Sequence, residues 1–136
     1  MKRLLILVEG QTEQAFVKIV LAPHLVQSVG DPRFIPNLVV HEFEALLFSA
    51  PEQIAAVLRV PNRVDQLRAI TSGGSSPEEI NDSPQTAPSK RLEQVYPGYH
   101  KEKRRLGPLI AQKIGLSAIR DRCKHFAGWL SRLENL

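Results

Sequence analysis

Four glutamates stand where the sequence marks strand ends, and carboxylates gathered there suit metal-assisted or acid/base chemistry. Glu9 follows the apolar run Leu4-Leu5-Ile6-Leu7-Val8, with Gly10 behind it and Glu13 one helical turn further on. The C-terminal edge of a parallel strand is where α/β folds place their chemistry. A solvated carboxylate there has no packing role, so Glu9 is the leading functional candidate. Glu13 reads equally as a first-turn carboxylate favoured by the helix dipole. Glu42 and Glu44 follow a second apolar segment, Phe34 to His41. If the two segments are neighbouring parallel strands, Glu9 lies roughly 5–10 Å from Glu42 or Glu44, given a strand spacing of about 4.8 Å. Oxygens so gathered suit a hard divalent cation, so Glu9, Glu42 and Glu44 are candidate Mg²⁺ ligands. Without a cation or a shared proton, such charges repel. His41 reads as a hydrogen-bonding residue at the strand end.

The second cluster is basic. Net charge is +4, but residues 89–125 carry ten basic and three acidic residues. A surplus of that size suits a polyanionic partner, nucleic acid above all. Lys90 and Arg91 fall in the first turn of a helix that Ser89 can cap, beside free backbone N–H groups, a setting for phosphate. Lys101, Lys103, Arg104 and Arg105 extend the basic stretch. Two tyrosines and one tryptophan leave little to stack on bases. A charge run is also what any solvated face looks like.

Elements must position these residues. Five consecutive large apolar residues at 4–8 suit a strand buried on both faces. Thr12 then caps a helix whose Phe16, Ile19 and Val20 make an apolar face, and Pro23 ends or kinks it. Gly30-Asp31-Pro32 is a turn, and residues 34–41 are the second strand. The predicted fold class is therefore α/β, a minimal parallel βαβ core over 1–48 with a mainly helical, basic part over 49–136, in one domain. Ser49-Ala50-Pro51-Glu52 and Ser76-Pro77-Glu78-Glu79 read as capping boxes, the first opening a helix with Ile54, Val57 and Leu58 on one face. Pro97-Gly98 stops a helix from Lys90. Pro108 suits the first position of the next, and Gly115 ends it. Ser117 caps the last helix, where Ile119, Cys123, Phe126, Leu130 and Leu133 form one apolar stripe.

Composition excludes several classes. A single cysteine, Cys123, rules out an intrachain disulfide framework and a cysteine-cluster metal site. On the apolar stripe it reads as a small buried residue. The apolar runs are too short to span a bilayer, and Glu9 interrupts the only segment placed like a signal peptide. A cytoplasmic setting is expected.

Several segments together resemble a known family: Leu-Val-Glu-Gly-Gln-Thr-Glu at 7–13, Leu-Ala-Pro-His-Leu at 21–25, His-Glu-Phe-Glu-Ala-Leu-Leu-Phe at 41–48, Pro-Glu-Glu-Ile-Asn-Asp at 77–82, Thr-Ala-Pro-Ser-Lys-Arg at 86–91 and His-Phe-Ala-Gly-Trp-Leu at 125–130. They look like the bacterial family called domain of unknown function 4276, regarded as TOPRIM-like. The resemblance implies a TOPRIM-like core in which Glu9 is the general acid/base of phosphodiester chemistry, with Glu13 beside it as a second catalytic candidate. It implies Mg²⁺ held by an Asp-x-Asp pair, and relatives encoded beside AAA-type ATPases in suspected phage-defence systems. No Asp-x-Asp occurs in this chain, and only Val26 to Arg33 separates the second and third blocks before Phe34. The expectation is a shortened member: a Mg²⁺-dependent nuclease-type domain, or a non-catalytic protein that docks on an ATPase or on a second copy of itself. Nucleic-acid binding without cleavage is a third possibility.

Overall fold

The protein is described by a computed structural model at residues 10–29, 42–71, 76–80 and 83–135. These residues are 82% helical and contain no strand or sheet, which overturns the α/β reading and its parallel βαβ core. The two expected strands, 4–8 and 34–41, lie outside the described residues. Short apolar runs cannot be assigned to strand or buried helix by periodicity alone, and the helix expected to cross over a sheet packs on other helices instead.

The elements are α1 (Gln11–Phe16), α2 (Ala22–Val29), α3 (Pro51–Leu58), α4 (Val64–Ile70), α5 (Pro88–Val95), α6 (Tyr99–Ile114), α7 (Leu116–Arg122) and α8 (Lys124–Glu134). Three 3₁₀ segments join them, Phe43–Ser49, Pro61–Arg63 and Pro77–Glu79.

A π-helical turn, Val17–Leu21, links α1 to α2 without a break. Pro23 therefore does not end the helix. It has no N–H for the carbonyl of Ile19, and its ring crowds that carbonyl in α geometry. The wider turn directly before it relieves that crowding. The extra residue in the turn also rotates the apolar stripe. Phe16, Val17, Leu21 and Leu25 are buried, while Ile19, expected on the core face, is 47% exposed.

Phe43–Ser49 is buried along its whole length, and α3, α5, α6 and α7 all pack against it. Its Phe43 ring stacks at a tilt on Phe16, with centroids 4.8 Å apart. Tyr99, Phe48, Phe126, Leu46 and Leu47 complete a helix-on-helix core.

The longest helix, α6, runs straight through Pro108, which is interior rather than first. Gly107 before it lets α1 and Phe43 come close. A Cβ there would lie 2.9 Å from Thr12 Cγ2 and 3.0 Å from the Phe43 ring. Gly115 ends α6 at φ 84°, as the sequence predicts, because a left-handed φ favours glycine.

The expected capping boxes fare differently. Ser76 caps its short turn, but by accepting from the Glu78 N–H, and the reciprocal arm of a capping box is not seen among the described residues: the Glu78 carboxylate accepts from the His125 and Phe126 N–H groups instead. Ser49 does not cap α3; that position is Ala50, and the Ser49 hydroxyl meets the Cys123 thiol at 3.4 Å. Ser117 lies inside α7, and Cys123 divides the last stretch into α7 and α8. The stripe Ile119, Cys123, Phe126, Leu130 and Leu133 is nonetheless buried. Burial pushes the Cys123 thiol up to about 11, so it is an inert core group. At the chain's other side, Arg120 grips the Glu134 carboxylate with both terminal nitrogens, and His24 of α2 approaches it at 2.8 Å.

Candidate functional site

Two clusters flank the contact between α1 and α6. The first is acidic. Glu44 is 3% exposed at the start of the Phe43–Ser49 segment, and the Tyr99 hydroxyl donates to its Oε1 at 3.3 Å. Burial raises the Glu44 carboxyl to about 7, against the stabilising pull of its own backbone N–H. Glu42 and Glu13 push it up further, and Lys103 opposes them. Burial and then Glu44 push the Tyr99 hydroxyl well above its ordinary range. Glu13, Glu42 and Glu44 thus share one electrostatic neighbourhood, at a helix junction and not at a sheet edge, whereas the sequence pattern gathers Glu9 with Glu42 and Glu44. Glu9 lies outside the described residues.

Two of these carboxylates, Glu42 and Glu44, are already engaged within the fold. Glu42 accepts the Ser89 N–H at 2.9 Å and the Ser89 hydroxyl at 3.0 Å, so it caps α5 with both oxygens. One backbone N–H of that first turn, that of Ser89, is therefore taken by the chain's own carboxylate. Glu44 is enclosed beside Tyr99. The Glu13 carboxylate folds back beside Gly10, where a Cβ would meet its Oε2. Among the described residues, no group of three or more His, Cys, Asp or Glu side chains is placed to hold a metal ion. Mg²⁺ wants several exposed oxygens in octahedral array, and Glu42 and Glu44 in this arrangement do not fit it.

The second cluster is a groove of about 860 Å³ between α1 and α6. Gln11, Gln14, Ala15, Lys18 and Ile19 line one side; Lys101, Glu102, Arg104 and Arg105 line the other. Spacings of three and four residues put Gln11, Gln14, Ala15 and Lys18 on one helix face, and the same holds for Lys101, Arg104 and Arg105. Glu102 is held by Arg105 at 2.6 Å and by the Tyr96 hydroxyl at 2.9 Å, and these two bonds lower its carboxyl below the usual range, Arg105 first. Arg104 reaches Gln11 Oε1 at 3.4 Å. Among the described residues no carboxylate pairs with Lys18, Lys101 or Arg104.

The six basic candidates therefore separate. Lys101, Arg104 and Arg105 share the groove. Lys103 faces the acidic cluster instead. Lys90 pairs with Glu93 at 3.1 Å, and Arg91 donates to the Thr86 carbonyl, away from the groove lining. Sequence reasoning missed Lys18, although its spacing from Gln11 and Gln14 marks one face. It also missed Tyr99, for which no local pattern gives a signal.

The described residues define a helical arrangement with one buried carboxyl, Glu44, whose proton is held more firmly than usual, and an open basic groove between α1 and α6. The chain belongs to the family Domain of unknown function (DUF4276), whose model matches residues 26–134. The resemblance noted in the sequence thus holds at family level. The match takes in Glu42, Glu44, the basic stretch and α8, and begins after Glu9 and Glu13. No curated protein and no solved structure matches the chain. Among the described residues no helix is long and apolar enough to cross a membrane.

Proposed function

We propose that this protein binds the phosphate backbone of nucleic acid in the groove between α1 and α6. The observation that carries the reading is the convergence of Lys18 from one helix with Lys101, Arg104 and Arg105 from another. The groove's single carboxylate, Glu102, is spent on Arg105 and Tyr96. Lys and Arg side chains left without carboxylate partners on facing helices suit a polyanion, which gains by releasing counterions. The groove carries a net of about three positive charges. Affinity should therefore fall with salt at a log–log slope of about −3 on duplex or about −2 on single strands. No cleavage step is assigned to the buried carboxylates.

The test is fluorescence anisotropy of labelled oligonucleotides across a salt series, with wild type beside a Lys101→Ala/Arg104→Ala variant. Binding at low salt, with a slope reduced by about two in the variant on duplex, supports the reading. No binding at low salt, or an identical slope in the variant, refutes it.

A further inference from the structure

We infer that the groove takes single-stranded nucleic acid, with Ile19 as an apolar seat for a base between the cations that hold the phosphates. This rests on the phosphate-binding reading above and adds the class of strand. The carrying observation is the π-helical turn. A continuous α-helix would turn Ile19 toward the core, together with Phe16 and Val20. The turn at Val17–Leu21 instead rotates it out, leaving it 47% exposed, the one large apolar side chain so exposed among the described residues. It emerges in the lining of the basic groove. Single π-turns within helices are frequent at functional sites.

The surroundings fit one occupant. An apolar side chain set among cations matches a ligand with alternating anionic and apolar parts. In a duplex the apolar base faces are stacked away and only phosphates and base edges remain accessible. In a single strand the bases splay out and can pack on protein. Gln11 and Gln14 line the same wall, offering amide groups that can hydrogen-bond base edges. Gln11 is already oriented by Arg104 at 3.4 Å.

The test is competition anisotropy with oligothymidylate, oligouridylate, a duplex of equal length, and inorganic polyphosphate as a backbone without bases. Wild type is compared with Ile19→Ser, a half-exposed position whose change leaves the core intact. The expected result is a loss of roughly fivefold for the single strands, DNA or RNA, with duplex and polyphosphate unchanged. Unchanged polyphosphate binding also reports that the variant is folded. An equal effect on all four ligands, or no effect on any, overturns the inference while leaving phosphate binding in place. Failure of wild type to bind any of the four removes the phosphate-binding reading and this inference with it.

Discussion

Glu44→Gln should change the pH dependence of stability more than stability itself. The Glu44 carboxyl, ordinarily near 4.5, is raised to about 7 by burial, with Glu42 and Glu13 adding to the effect. Between those two values the folded chain holds a proton that the unfolded chain has released. Stability therefore falls as pH rises through this window, at up to about 1.4 kcal/mol per pH unit. The loss is absent below about pH 4.5 and complete above about pH 7. Integrated over the window it amounts to about 3 kcal/mol. For a chain of 136 residues that corresponds to roughly 10 °C in Tm. Glutamine keeps an oxygen to accept from the Tyr99 hydroxyl, now at 3.3 Å, but cannot ionise. Thermal melts of both proteins from pH 5 to pH 8.5 should start close together and separate, the variant ending as the more stable. Parallel curves would refute the reasoning, because they would mean that Glu44 ionises as freely folded as unfolded.

Three further outcomes follow from the same geometry. Glu134→Gln should cost about 1 kcal/mol at pH 7, since it breaks a two-pronged contact with Arg120 that remains partly in solvent. The Arg120 hydrogen bonds, then His24, hold that carboxyl down to about 2, so its stabilisation is present above about pH 4.5 and is lost as pH falls toward 2. Acid titration by circular dichroism should show the variant and wild type converging there. Gly107→Ala should lower urea-measured stability by about 1–2 kcal/mol despite better helix propensity, because the new methyl meets Thr12 and Phe43 at 3.0 Å or less. Glu42→Gln should cost about 1–2 kcal/mol by weakening the cap on α5, and added Mg²⁺ should shift the Tm of neither protein.

The sequence was most legible where the cause is local. The stripe from Ile119 to Leu133 is buried as its spacing requires. Gly115 sits at the positive φ that a helix end demands, and Ser76 caps its short 3₁₀ turn. It was least legible where a local preference is overridden by packing. Pro108 looks like a helix start but lies inside α6, next to Gly107, where a side chain would collide with Thr12 and Phe43. Ser49 looks like a cap, yet Phe43–Ser49 is drawn wholly into the core and Ala50 takes that position. The carboxylates illustrate the same limit. Residue type and spacing point to Glu42 and Glu44, but the sheet edge on which they were to meet Glu9 is absent from the described residues, and nothing local says what each carboxylate does. Glu42 spends both oxygens on the backbone and hydroxyl of Ser89, 47 residues away, a contact that no sequence window contains.

The groove shows how a single extra residue per turn changes which surface a sequence presents. On a 3.6-residue period, Ile19 belongs with Phe16 and Val20, and the N-terminal helix has one apolar face and one polar face. Pro23 disfavours that geometry, because it withdraws an N–H from the Ile19 carbonyl and crowds it. The π-turn resolves this conflict, and its rotation turns Leu21 into the core in place of Ile19. Lys18 and Ile19 then share the outer wall with Gln11 and Gln14, opposite the cations of α6. A proline that reads as a helix breaker thus acts here through the turn before it, and that turn gives the basic groove its apolar residue. Replacing Pro23 with alanine removes the steric reason for the π-turn, and with it the reason for Ile19 to face the groove.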